Sequence, residues 1–270
     1  MTERNEVKDF NVVVTTSHQP DAEQVKKARE LARSLGFPYV SRKRLKSISR
    51  PSLLVYVLEK NGRLVLVSEA GRLFFHPSAA KIRFINLKKG LSDHLIKALS
   101  PEGYEQVLDL TFGLGSEAIL MAHFLPKGKV VGLEASVHIY NVVRYGMIHF
   151  LQSTVKPEEE WIKDAIRRIV LINADFREYV KNTPEESFDV VYCDPMFEQP
   201  KYASSSMNPL RPVAVYDTLS KEDVESFLRI CRKKVIIKFH REDTWFKELE
   251  FHWITGSKKS GVFYGVIEKR

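Results

Sequence analysis

The sequence predicts an α/β protein: a seven-stranded, mostly parallel sheet with helices on both faces, preceded by a small α+β domain. Three observations carry this. From Val107 onward, short apolar runs alternate with helix-like segments, the pattern of parallel strands joined by crossover helices. Within that region Val107–Ala118 (VLDLTFGLGSEA) reads as a strand, a glycine-broken loop and a helix start in succession. Before it, two apolar runs flank Asn61-Gly62, a strong hairpin signal. The 270 residues, 44% of them hydrophobic, suffice for one small core and one large one. Residues 1–95 are expected to form the small domain and 96–270 the large one.

In the first domain Asn11–Thr16 reads as a buried strand, and Pro20-Asp21 opens an amphipathic helix that Gly36 and Pro38 end after Leu35. Leu53–Glu59 and Arg63–Ser68 are the hairpin strands, joined by a type I′ turn that needs positive φ at Asn61 and Gly62. Leu73–Phe75 extends this sheet, Ser92–Leu99 is a helix, and Ser100–Gly103 is a linker. In the second domain the strands are Val107–Leu110, Lys129–Glu134, Ile169–Asn173, Asp189–Cys193 and Lys234–Phe239. The helices between them are Ser116–Phe124, Val137–Leu151, Pro157–Arg168 and Lys221–Arg232. A closing strand pair, Glu250–Thr255 and Gly261–Glu268, gives the sheet an antiparallel edge.

Composition narrows the partners. Lys and Arg number 42 against 34 Asp and Glu, a net charge of +8 that concentrates polyanions at the surface. The basic residues cluster in Arg42-Lys43-Arg44, Lys46, Arg50, Lys81, Arg83, Lys88 and Lys89, so the first ninety residues read as the polyanion-facing part. No apolar run approaches bilayer-spanning length, and the polar first twenty residues lack a secretory h-region. Cys193 and Cys231 sit in apolar runs without motif spacing, which argues against a disulfide framework and for a reduced, cytoplasmic setting. No His, Cys and Asp set has metal-ligand spacing. The lone histidines His123 and His149 read as packed or surface residues.

Ligands of open α/β sheets bind at the carboxyl ends of the strands. Here those ends carry Asp109 with its glycine loop, then Glu134, then Asp175 flanked by Ala174 and Phe176, then Asp194. Gly113 and Gly115 let the backbone bend and a ligand approach, and Ser116 and Glu117 open the following helix. Two cofactors fit this loop alone. Gly113-x-Gly115-x-x-Ala118, with Glu134 further on, also matches the dinucleotide fingerprint. A pyrophosphate, however, would lie against Asp109 and Asp194, where like charges repel. S-adenosyl-L-methionine carries an ammonium and a sulfonium and no phosphate, and so suits the acids. Glu134 would accept the ribose hydroxyls, while Asp175 and Phe176 would hold an edge and a face of adenine. Any one of these acids, taken singly, is explained as a cap for the next helix; the four together favour the cationic cofactor.

Asp194-Pro195-Met196-Phe197 resembles the Asp/Asn-Pro-Pro-Tyr/Phe loop of methyltransferases that modify exocyclic amines. Such an amine is a poor nucleophile because its lone pair is delocalised into the ring. Acceptors aimed at its N–H groups, Asp194 and a main-chain carbonyl near Pro195, direct that lone pair at the methyl donor. Phe197 would stack on the base once it has left its own stack.

From about His76 to the C-terminus the chain resembles class I S-adenosylmethionine-dependent methyltransferases acting on guanine N2 of small-subunit (16S) ribosomal RNA, in the subgroup with Asp-Pro-Met-Phe. The resemblance rests on Asp109–Glu117 (DLTFGLGSE), Leu133-Glu134, Ala174-Asp175, Asp194–Phe197 and Lys234–Lys238. It implies a Rossmann-like seven-stranded class I methyltransferase sheet, S-adenosyl-L-methionine as cofactor and RNA as partner. It also implies cofactor contacts from Ser116, Glu117, Glu134, Ala135, Asp175, Phe176 and Asp194. The chain departs from that family's pattern at Ser116-Glu117, where the family has an arginine-aspartate pair, and at residues 82–90. It departs again at Glu198-Gln199, where the family continues with proline. The residues expected at chemistry are Asp194, Pro195 and Phe197; those expected at the cofactor are Asp109, Gly113, Gly115, Ser116, Glu117, Glu134, Ala135, Asp175, Phe176 and Asp194. The competing readings are a methyltransferase for another RNA, a small molecule or a protein, a nicotinamide-dependent oxidoreductase, and a non-catalytic RNA-binding module.

Overall fold

The computed structural model describes residues 11–48, 52–195, 209–215 and 218–269. The chain divides into two compact units, one of residues 1–76, 141–153 and 202–214, the other of residues 77–140, 154–201 and 215–270.

The first unit holds a four-stranded sheet in the order β1 (Val12–Thr16), β2 (Leu54–Leu58), β3 (Leu64–Ser68), β4 (Gly71–Leu73). β1 runs parallel to β2, and the other pairs are antiparallel. Helix α1 (Ala22–Leu35) starts where the Asp21 carboxylate accepts the Gln24 N–H at 2.7 Å and ends at left-handed Gly36. The short α2 (Arg42–Leu45) carries the basic cluster. One face of the sheet buries Val13, Val55 and Val57 with Val40 and Leu53. The hairpin forms as expected, but its turn is a different one. The Glu59 N–H donates the closing bond to Arg63 O at 2.9 Å, so three residues make the loop and only Gly62 takes positive φ (85°). Asn61 keeps negative φ and its side chain instead accepts the Arg63 N–H at 3.0 Å. This is the three-residue solution, with a single left-handed residue, rather than type I′.

The second unit holds the seven-stranded sheet, in the order β10 (Trp253–Ser257), β11 (Val262–Glu268), β9 (Cys231–His240), β8 (Phe188–Cys193), β5 (Gln106–Asp109), β6 (Lys129–Glu134), β7 (Ile169–Asn173). Strands β5 to β9 are mutually parallel. The reversed strand is β11, antiparallel to both β9 and β10, so it lies one place in from the edge. The expected helices are present as α4 (His94–Leu99), α5 (Ser116–His123), α6 (Val137–Gln152, of which residues 141–152 are counted with the first unit), α7 (Glu160–Arg167) and α9 (Lys221–Ile230). Two more helices were not legible. α3 (Ser78–Lys88) buries only Ala80 and Phe84 and exposes Ile82 and Ile85, which leaves no apolar stripe to read. α8 (Phe176–Lys181) is under two turns long. Among the described residues no helix is long and apolar enough to cross a membrane.

Strand alternation sorts the sheet into two faces. Leu108, Val191, Cys193, Val235 and Ile237 turn to the core beneath α8 and α9. Asp109, Tyr192 and Lys238 have the opposite parity, and Tyr264 lies directly across from Lys238. That polar row lies at the carboxyl ends of the parallel strands.

Candidate active site

Asp109 ends β5 and is 1% exposed. The Thr111 N–H donates to its Oδ1 at 3.1 Å. Burial chiefly, with the like charges of Glu117, Asp194 and Glu134 adding to it, pushes the carboxyl well above the ordinary aspartate range. The loop then turns through two left-handed glycines, Gly113 (φ 54°) and Gly115 (φ 77°). For Gly115 packing supplies a reason besides ligand approach, since a Cβ there would stand 2.6 Å from the Phe112 ring. A Cβ on Gly132 of β6 would stand 2.0 Å from the same ring. The buried Phe112 ring, slotted against two glycines, pegs the loop to β6, where the Phe112 N–H also donates to Leu133 O at 2.8 Å. At Gly113 the nearest atom to an added Cβ is 3.9 Å away, so this is where the loop leaves room.

Glu134 ends β6 and ties the loop to its neighbour: its Oε2 accepts the Gly113 N–H at 2.9 Å and its Oε1 the Ser136 N–H at 2.8 Å. Each oxygen keeps a lone pair beyond those bonds. Burial raises this carboxyl too. Asn173 donates to the carbonyls of Glu134 and Ala135 at 2.7 and 3.2 Å, fixing the turn between β6 and α6. Asp175 caps α8, its Oδ1 accepting the N–H groups of Arg177 and Glu178. Phe176, expected from the sequence to cover a face of adenine, is the first residue of α8. It is 6% exposed and packs against Phe227 in the core, because the first turn of α8 carries an apolar residue inward.

Asp194 follows β8, and its N–H donates to Thr111 Oγ1 at 2.6 Å, which joins the fourth strand end to the loop after the first. Pro195 is buried; Phe197 lies outside the described residues. The Asp194 carboxylate leads into a chain of charges that the sequence did not reveal. Lys238 Nζ lies 2.6 Å from Asp194 Oδ2 and 3.4 Å from Glu117 Oε1. Arg83 Nη1 donates to the same Glu117 oxygen at 3.1 Å, while Arg83 Nε and Nη2 grip Asp93 at 2.7 and 2.8 Å. Asp93 in turn caps α4. Burial pushes the Asp194 carboxyl up against the pull of Lys238. In Glu117 burial is outweighed by Lys238 and Arg83, which hold its carboxyl low. Ser116, the first residue of α5, is half-buried beside it. Beside this chain Tyr192 is fully buried, and its hydroxyl has no hydrogen-bond partner among the described residues. The Tyr264 hydroxyl is pushed up to about 12 by burial.

Asp109 and Glu134 thus have no cationic partner among the described residues, Gly113 leaves space, and an orphaned hydroxyl faces a ring of acids. This donor set fits a cationic, phosphate-free ligand. Residues 67–262 match the family model described as "Putative SAM-dependent methyltransferase". The chain belongs to that family. Its cofactor is accordingly S-adenosyl-L-methionine, and the methyltransferase shows similarity to several known proteins. It is 32% identical over 95% of its length to the "Uncharacterized protein YpiP" of Bacillus subtilis, covering 99% of that protein. It is 31% identical to Ribosomal RNA small subunit methyltransferase J of Francisella philomiragia, over 49% of this chain and 53% of that one. The match therefore spans about half the length of that relative. A SAM-dependent methyltransferase from Neisseria gonorrhoeae has the same fold, with a TM-score of 0.63 over 95% of this chain and 96% of that one, at 17% identity.

Lys238, Arg83, Asp93 and Tyr192 are the polar site residues that sequence reasoning missed. A signal existed for two of them. Tyr192 and Lys238 interrupt the apolar runs VVYC and VIIKF at the parity of Asp109. Arg83 comes from α3, which no periodicity announced, and Asp93 from the cap of the expected helix α4, where nothing in the sequence linked it to Arg83.

Proposed function

We propose that the methyltransferase acts on an exocyclic amine of a base in RNA, with guanine N2 of small-subunit ribosomal RNA as the target. The observation that carries this is Asp194-Pro195 at the fourth strand end, bound through Thr111 to the loop of Asp109. The partial similarity to Ribosomal RNA small subunit methyltransferase J supports the ribosomal substrate, and the basic α2 supports a polyanion.

In this reading Asp109 faces the cofactor's ammonium, Glu134 takes the ribose hydroxyls on its remaining lone pairs, and Asp175 with the main chain of Phe176 holds the adenine edge. When bound, the cofactor supplies an electrophilic methyl group on a sulfonium sulfur. Asp194 and a carbonyl at Pro195 accept the two N–H groups of the target amine and turn its lone pair toward that methyl. Asp194 is also the nearest acceptor for the proton that the nitrogen sheds. Phe197 stacks on the unstacked base.

Mass mapping of modified bases in total RNA, with and without the protein, tests the substrate. Asp194→Ala is expected to abolish transfer while S-adenosylhomocysteine binds within tenfold of wild type, about 1.4 kcal/mol. Weak, salt-insensitive RNA binding together with transfer to a small molecule or a protein would end the RNA reading.

A further inference from the structure

We infer that Lys238 is the positioning residue of the acceptor site: it holds one oxygen of Asp194 and thereby presents the other to the amine of the substrate. The inference rests on the role proposed above for Asp194. Three features lead to it. The contact is short, at 2.6 Å, and Lys238 leaves only 15% of its side chain exposed, so water competes weakly for the ammonium. Lys238 is itself held from behind, by Glu117 at 3.4 Å, which Arg83 holds at 3.1 Å, which Asp93 grips through two bonds. The five side chains alternate in sign from a helix cap to the strand end, so the ammonium has a fixed seat. Finally, packing gives no reason to keep a buried ammonium, since an apolar residue of similar volume in such a place is often neutral or stabilising.

Asp194 stands just past the end of β8, and its carboxylate is free to turn about two torsions unless something fixes it. The target amine needs an acceptor in one direction only, because an aromatic amine reacts when its lone pair points along the methyl's line of approach. Lys238 fixes that direction. It also neutralises Asp194, so the carboxylate acts as an oriented acceptor beside the cofactor's cation without drawing that cation onto itself.

Lys238→Met, measured in single turnover with the RNA substrate, is expected to slow transfer about a hundredfold while the affinities for S-adenosylhomocysteine and RNA stay within about threefold. An unchanged rate overturns the inference, and so does a loss that follows lost cofactor binding. If the methionine variant does not fold, Lys238→Gln carries the same readings. The Asp194→Asn background shows whether the effect passes through Asp194. There Lys238→Met should cost less than about threefold, and a loss as large as in the Asp194 background overturns the inference.

A second arm needs no substrate and so survives failure of the proposed function. Asp194 is faced by Lys238 on β9, Glu117 on α5, Arg83 on α3, Asp109 on β5, Tyr192 on β8 and Tyr264 on β11. Carbon-13 carboxyl titration of Asp194 should move upward in Lys238→Met, because the nearest cation is gone. A titration that does not move overturns the pairing.

Discussion

Gly132→Ala tests the peg that holds the glycine loop after β5. The added Cβ would stand 2.0 Å from Phe112 Cδ2 and 2.6 Å from Cε2, far inside contact distance. Phe112 is 3% exposed, and Gly115 already closes on the same ring, so the ring has nowhere to retreat within its slot. Overpacking of this kind costs about 1–3 kcal/mol. The strain should also reach function, since moving Phe112 moves the Thr111–Gly115 loop that bears Gly113 and carries the Asp194 tie. We expect the denaturation midpoint to fall accordingly and S-adenosylhomocysteine affinity to fall at least tenfold, about 1.4 kcal/mol. Phe112→Ala alone should cost about 3–5 kcal/mol through the cavity it leaves. If the ring is the sole obstacle, Gly132→Ala in the Phe112→Ala background should cost less than about 0.5 kcal/mol. Additive costs in that double mutant would show that the glycine serves β6 itself and not the ring.

Three further expectations follow from the same geometry. Asp109 and Glu134 hold their protons to higher pH than ordinary carboxyls, so the free protein loses stability as pH rises from the ordinary carboxylate range through their raised values, and a cation that binds their ionised forms offsets the loss. Cofactor binding should therefore release protons at mildly acidic pH, seen by calorimetry in two buffers, and ligand-induced stabilisation should be larger at pH 8 than at pH 5; buffer-independent heats would refute it. If α2 contacts RNA phosphates, replacing Arg42, Lys43 and Arg44 by Ala should flatten the dependence of log affinity on log salt by about 2, at roughly 0.7 per contact on a single strand. Cys193 and Cys231 are both buried, and burial pushes their thiols up, Cys231 to about 11. Iodoacetamide at pH 8 should label both in denaturant and neither in the native protein.

The alternation of strands and helices announced the large sheet because each buried strand is an uninterrupted apolar run, and Ile169–Asn173 and Lys129–Glu134 were legible to the residue. What escaped had no local period to betray it. α3 is a helix without a stripe, held by Phe84 against His123 and Trp161, contacts that join residues far apart in the chain. The strand-end acids were legible because β-strand ends recur on one edge. Their partners were not, since Arg83 meets Glu117 across 34 positions and Lys238 meets Asp194 across 44. The packing of Phe176 was hidden for the same reason. The sequence shows an aromatic beside a strand-end carboxylate, and only the turn of α8 decides that the ring points to Phe227.

The division of labour among the acids yields a last prediction. Asp194 and Glu117 have Lys238, and Asp93 and Glu117 have Arg83, whereas Asp109 and Glu134 have no cation among the described residues. The three paired acids are offset by two cations, whereas the unpaired ones have none, so they carry most of the field a cationic ligand meets. S-adenosylmethionine and S-adenosylhomocysteine share the ammonium and differ by the sulfonium charge. If Asp109 faces the ammonium, Asp109→Asn should weaken both ligands by the same factor, about tenfold or 1.4 kcal/mol each. Asp194, at the end of the neighbouring strand β8, should discriminate. Asp194→Asn removes the nearer of the two carboxylates on Lys238 and leaves that ammonium with Glu117 at 3.4 Å, so it should weaken S-adenosylmethionine more than S-adenosylhomocysteine. Calorimetry with both ligands on both variants gives four affinities. A larger preference change in Asp109→Asn than in Asp194→Asn would place the sulfonium beside Asp109 and reverse the orientation of the cofactor proposed here.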